Sequence, residues 1–112
     1  MINSRQKGAR GERELAKLLT EAGFPAERAQ QYKGGQHSAD VSCPELEARG
    51  FHVEVKRTER VLLYEWLEKA RIEAVGKTPV IFHKRNRGEW VAIIDAPVLL
   101  DLIKGGTGDR GT

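Results

Sequence analysis

One run of the chain constrains the fold more than any other: Phe51-His52-Val53-Glu54-Val55-Lys56. Apolar and polar residues alternate, so Phe51, Val53 and Val55 face one side of a strand and His52, Glu54 and Lys56 the other. Such a strand needs neighbours for its backbone groups and a layer over its apolar face. Helical periodicity on both sides supplies that layer. Leu15, Leu18, Leu19 and Ala22 recur at three- and four-residue spacing, which predicts a helix over residues 10–22. Gly23 stops it, Phe24 folds back on the last turn, and Pro25 prevents the helix from resuming. A second helix is predicted over about 61–75, with Leu63, Trp66, Leu67, Ala70 and Ala74 on its apolar side and Gly76 as stop.

The remaining segments are shorter. Weak strands are expected over 26–31 and 39–43, the second ending at Pro44, with a glycine-rich loop over 33–38 between them. Residues 45–50 read as a turn. Strands over 79–82 and 89–94, joined by a turn at 84–88, read as a hairpin. Asp95 is placed to cap a closing helix over 96–103. The order is α-β-β-β-α-β-β-α, an α/β fold with a mixed sheet and helices packed on it. Residues 1–104 are expected to form one domain, and 105–112 (GGTGDRGT), with no apolar anchor, a flexible tail.

Composition removes whole classes of function. A chain of 112 residues has room for one core, and its 39% apolar and 31% charged residues fit a water-soluble domain. No apolar run approaches the roughly 20 residues that span a bilayer, and the start has no signal-peptide core. The single cysteine, Cys43, excludes an internal disulfide and a cysteine-based zinc site, and is expected as a small packed side chain. These features read as cytoplasmic.

Charge is unevenly distributed. Residues 1–33 carry a net +3, residues 34–76 a net −2, residues 77–90 a net +3, and the remainder −1. Basic segments attract polyanions such as nucleic acid, and the acidic middle is suited to a divalent cation.

No phosphate-binding or dinucleotide-binding glycine motif is present, and no serine lies in a nucleophile elbow. His37, His52 and His83 lack metal-ligand spacing and most are expected at the surface or half-buried, with a ligand role for His37 or His52 the minor alternative. What remains is a set of acids and one lysine. Glu54 and Lys56 point to the same side of their strand. If the strand that Asp40 opens lies beside it, the two carboxylates meet at one edge of the sheet. Paired carboxylates make a hard oxygen site suited to Mg²⁺, with Mn²⁺ accepting the same ligands. Lys56 would then orient the attacking water or stabilise phosphate charge. Taken alone, Glu54 and Lys56 read as an ordinary opposite-charge pair on a solvent-facing strand, and Asp40 as a routine turn residue. Glu12 shares the helix face of Leu15 and Leu19, where a carboxylate needs a partner, a metal, or an outlet to solvent at the helix start.

The residues Lys7-Gly8-Ala9-Arg10-Gly11-Glu12-Arg13-Glu14-Leu15, Gly23-Phe24, Arg28, Asp40-Val41 and Glu54-Val55-Lys56, in that order, resemble the PD-(D/E)XK nuclease superfamily, within it the archaeal-type Holliday junction resolvases and their phage-encoded relatives. The resemblance implies a restriction-endonuclease-like fold. It also implies Asp40 and Glu54 as metal ligands, Glu12 as a further ligand directly or through water, and Lys56 as the catalytic lysine. It implies a homodimer cutting four-way junctions, with DNA contacts from Arg5, Lys7, Arg10, Arg13, Arg28, Lys33 and Ser38. Ala39 stands where the superfamily has its proline, and the serine-glycine step of the archaeal loop is missing. The Trp66 helix and the 85–90 hairpin resemble phage and prophage members. Three other functions stay open on the residues alone: a nicking or structure-nonspecific nuclease, a non-catalytic DNA-binding module, and an interaction domain anchored by Trp66 and Trp90, whose alternative role is core packing.

Overall fold

Helix α1 spans Ser4–Glu21 and so starts six residues before the predicted boundary. Its first turns hold Arg5, Gln6, Lys7 and Arg10, good helix formers that leave no apolar mark for periodicity to detect. The structure is a computed structural model and describes residues 4–29 and 39–105, with residues 4–7 as backbone only. Leu15, Ala16 and Leu19 are buried along one face of α1. The C-terminus closes as the sequence predicts. Gly23 adopts φ 102°, and the N–H groups of Gly23 and Phe24 bond the carbonyls of Thr20 and Leu19 at 3.1 and 2.8 Å.

Strand β1 (Glu27–Arg28) pairs antiparallel with β2 (Val41–Ser42). Residues 45–50 correct the expectation of a simple turn, because helix α2 covers Pro44–Ala48. Pro44 opens it with a preset φ, Glu45 and Glu47 lie in the first turn where the helix dipole favours anions, and five residues are too few for periodicity to reveal. Gly50, at φ 90°, then turns the chain into the main strand.

That strand, β3, runs Phe51–Arg57 and pairs in parallel with β4 (Thr78–Lys84). Parallel neighbours need a crossover, and α3 (Leu63–Ala74) provides it. Pro79 cannot donate to a ladder and sits in the part of β4 that the antiparallel edge strand β5 (Val91–Ile93) does not reach. β4 is longer and β5 shorter than predicted. The chain closes with α4 (Ala96–Ile103), as expected. Asp95 does occupy its N-cap position, but its carboxylate takes Arg71 at 2.6 Å rather than capping. The observed order differs from the predicted one by α2 alone.

The expected single sheet is a two-stranded and a three-stranded unit, β1-β2 and β3-β4-β5. Asp40 joins them, its N–H donating to the Val53 carbonyl at 3.1 Å and its own carbonyl accepting from Ala29 at 3.2 Å. Helices cover both faces of β3 and β4. On the α1 side, Leu15, Leu19, Val41, Phe51, Val53, Val80 and Val98 form one core. On the α3 side, Leu67, Ala70 and Ile81 form a smaller one, with Trp66 packed against it. Trp90 packs on the first, so both tryptophans serve the cores, and Cys43 is fully buried there as expected.

Gly11 marks the closest approach of α1 to β3. A methyl group there would collide with Arg57 Cγ and touch Val55. Arg57 cannot easily move aside, because its Nε is held by Glu14 at 3.0 Å and its Nη1 by Asn86 at 3.1 Å. Residues 106–112, most of the predicted tail, lie outside the described residues. Among the described residues, no helix is long and apolar enough to cross a membrane.

Candidate active site

Three bonds fix Asp40: the two backbone bonds above, and Oδ2, which accepts the Val55 N–H at 2.8 Å. The side chain therefore lies across β3, where its carboxyl shares a hydrogen bond with that of Glu54. The meeting that the sequence made conditional on strand adjacency thus occurs. Adjacency comes through Asp40 itself rather than through a regular ladder between β2 and β3.

The polar face of β3 is not a solvated face. Glu54 is only 7% exposed and His52 4%. His83, on β4, is buried as well, and donates from Nε2 to the Thr58 carbonyl at 2.8 Å. Both histidines are more deeply buried than the surface or half-buried positions expected of them, because α3 covers the side of the sheet that alternation marks as polar. Burial, and then the hydrogen bond to Glu54 and its charge, push the Asp40 carboxyl up to about 7. Burial and the neighbouring Glu73 carboxyl push Glu54 up to about 7. Two acids so placed hold protons at a pH where exposed carboxyls have lost them.

Glu54 has two further neighbours. Its Oε1 lies 2.9 Å from His52 Nε2, and Glu73 reaches it from α3 through another hydrogen bond. Ligand atoms of His52, Glu54 and Glu73 all lie within 4.8 Å of one another. Burial holds the His52 pKa below its ordinary value, which favours the neutral ring beside Glu54. Sequence reasoning missed Glu73. The signal was present: Glu73 lies three residues beyond Ala70 and seven beyond Trp66, on the helix side that packs inward. A carboxylate there raises the question that Glu12 raises on α1.

Lys56 follows Glu54 on the same side of β3. Its Nζ lies 5.7 Å from the centre of the Trp66 ring, and its charge opposes the rise in both the Asp40 and Glu54 pKa values. No carboxylate among the described residues forms an ion pair with it.

Glu12 approaches from α1. Arg28 Nε binds its Oε1 at 2.7 Å, leaving the Glu12 side chain 15% exposed. Burial raises its pKa, the Arg28 bond opposes that rise, and the Asp40 charge adds to it. Of the alternatives for Glu12, the structure thus supplies the partner: Arg28 is engaged by Glu12. Arg10 and Arg13 are exposed on α1. The side chains of Arg5 and Lys7, and Lys33, Ser38 and His37 entirely, lie outside the described residues.

The arrangement combines a buried pair of acids, a lysine with no ion-pair partner among the described residues and a third acid, around the junction of two small sheets. Comparison with known proteins places it. Residues 3–105 match the family model described as "Phage putative PDDEXK endonuclease". Among solved structures, the chain is similar to Hjc, a Holliday junction resolvase from the archaeal hyperthermophile Archaeoglobus fulgidus, with a TM-score of 0.56 and 26% identity, covering 79% of this chain and 72% of that one. No curated protein matches. With nearly its whole length inside the family model, the chain belongs to the phage PDDEXK endonuclease family and is a nuclease of that type.

Proposed function

We propose that the protein is a Mg²⁺-dependent DNA endonuclease that acts on branched DNA and resolves four-way junctions as a homodimer. The observation that carries this reading is the hydrogen-bonded Asp40–Glu54 pair beside Lys56. Buried carboxylates with pKa values pushed up to about 7 are costly to ionise, and a divalent cation between them removes that cost. The donor set is hard oxygen, which fits Mg²⁺, with Mn²⁺ as a substitute. Asp40 and Glu54 would hold the ion, with Glu12 an outer ligand whose Oε1 is already steadied by Arg28. When bound, the ion supplies a Lewis acid for a phosphodiester.

The chain's own residues do the rest. The Val55 N–H and the two strand bonds of Asp40 preset its carboxylate before substrate arrives. Lys56 turns an ammonium toward the same side and stabilises charge that develops on the phosphate. Arg10 and Arg13, with Arg5, Lys7, Lys33 and Ser38, would contact the DNA backbone, and Arg28 would act through Glu12 as well. The likeness to a junction resolvase supports branched DNA as substrate. Exposed Tyr64 and Ile72 on α3, Val91 on β5, and Leu99, Leu100 and Ile103 on α4 offer apolar surface for a dimer to bury. Residues 1–104 would make up the nuclease domain.

End-labelled four-way junction, linear duplex and single strand, each with Mg²⁺ or chelator, test this against the Asp40→Asn variant. Paired symmetric nicks on the junction alone, lost with chelator and in the variant, are the expected result. Equal cutting of linear duplex would make the protein a nicking or structure-nonspecific nuclease. DNA binding without any cut, in Mn²⁺ as in Mg²⁺, would make it a binding module.

A further inference from the structure

The arginines of the second basic segment, residues 77–90, take no part in the site described above. Lys77 precedes β4, at the end away from the β4–β5 turn, and the other three cations divide into two groups. Lys84 is employed within the fold, its Nζ 3.7 Å from Glu14, beside Arg57 on the same carboxylate. Arg85 and Arg87 are exposed at the tip of the β4–β5 turn, and no carboxylate among the described residues lies within ion-pair distance of either. Arg60, in the adjoining loop after β3, is exposed and unpaired in the same way.

The turn that carries these arginines is held firmly. Gly88 N–H bonds the Arg85 carbonyl at 3.0 Å, Asn86 N–H bonds Glu59 Oε2 at 2.7 Å, and Asn86 Oδ1 accepts from Arg57 at 3.1 Å. Thr58 Oγ1 bonds the Arg60 carbonyl at 2.6 Å and fixes the neighbouring loop. Arg87 sits at φ 61°, a left-handed position that Gly or Asn fills more easily than a long side chain. A pinned turn displays cations that the fold itself does not use.

Its place relative to the active site follows from register. Glu54 faces Ile81, Lys56 faces His83 and Arg57 faces Lys84. The turn therefore begins one residue past the Arg57–Lys84 pair, at the Lys56 end of the sheet. Three residues of strand, from Glu54 to Arg57, cover about 10 Å. A DNA strand advances about 3.4 Å per nucleotide, so that reach is about three nucleotides.

We propose that Arg85 and Arg87, with Arg60 beside them, bind backbone phosphates of the nucleic acid about three nucleotides from the cleaved bond. The inference rests on the nuclease reading and names a contact surface the α1 cations do not supply. It requires charge and position only, so it sets register and affinity without reading bases.

The test is the double variant Arg85→Gln/Arg87→Gln, with Arg71→Gln as a control that removes an arginine already paired to Asp95. Fluorescence anisotropy with labelled junction and duplex, in chelator, follows affinity from about 50 to 200 mM salt. Each lost phosphate contact flattens the slope of log affinity against log salt by about 0.9, so the double variant should lose about 2 from the slope and about tenfold in affinity at the low-salt end. The control should keep the wild-type slope. Wild-type slope and affinity in a double variant of unchanged melting temperature would overturn the inference alone. A wild-type protein that binds no DNA would overturn the nuclease reading and this inference together.

Discussion

The two faces of β3 carry opposite chemistry under the same cover. On the α1 side, Val53 is completely buried against Leu15 and Leu19, and each such side chain contributes about 1.5–3 kcal/mol by leaving water. On the α3 side, Glu54 is almost as inaccessible, yet its burial opposes folding, since a carboxylate loses hydration there. One face stabilises the molecule, and the other is carried by that stability. Alternation along a strand reports which residues share a face. It does not report whether that face meets water.

Glu54→Gln gives the sharpest test of this contrast. Cleavage should fall at least about a thousandfold, equivalent to about 4 kcal/mol of transition-state stabilisation. The melting temperature of the metal-free protein should hold or rise, because a buried acid among acids has been neutralised. A large drop in melting temperature with cleavage retained would reverse the roles assigned to the two faces.

The mirror experiment is Leu15→Ala on the α1 side, which should cost about 2–5 kcal/mol of stability in denaturant unfolding. Activity per folded molecule should stay near wild type, since Leu15 belongs to the apolar core on the side of β3 opposite Glu54 and Lys56. Undiminished stability would mean that the α1 core does not hold the sheet.

The smallest effect is a pH dependence. Asp40 and Glu54 have folded-state pKa values near 7, above their ordinary 3.8 and 4.5, so the folded chain binds more protons than the unfolded one between those limits. Their contribution is fully present below about pH 4 and is lost as pH rises through about 7. Glu14 has the opposite sign, since Arg57 and Lys84 outweigh its burial and lower its pKa, but it acts below about pH 4.5. His52, its pKa lowered by burial, also opposes the trend, below its ordinary 6.5, as one group against two. The melting temperature of metal-free protein should therefore fall between about pH 5 and pH 8. Mg²⁺ or Mn²⁺ added at pH 8 should restore part of it, and Asp40→Asn should flatten the curve. A melting temperature that climbs over this range would show that the pair is not buried as described.

Much of this was legible in the residues. The Leu15–Leu19 face, the Gly23-Phe24 stop, the whole of β3 and the closing helix follow from local spacing and backbone chemistry. Asp40 and Glu54 could be nominated together, because each has a definite position on its strand. Other features carried no local signal. The first turns of α1 are polar all round, and α2 is a helix too short to show a period. Arg28 reads as one more surface cation until β1 brings it to Glu12. Glu73 lies 19 residues beyond Glu54, and only the crossover through α3 brings them together.

By itself, the sequence determined the direction of each side chain along its own helix or strand, since 3.6- and 2-residue periods are properties of the local backbone. It also determined the order in which the acids and the lysine follow one another along the chain. Tertiary structure alone decided which faces were shut from water and which charges met. Desolvation and ion pairing depend on distances between segments far apart in the chain. Those distances exist only once α1 and α3 have closed over the two sides of one sheet.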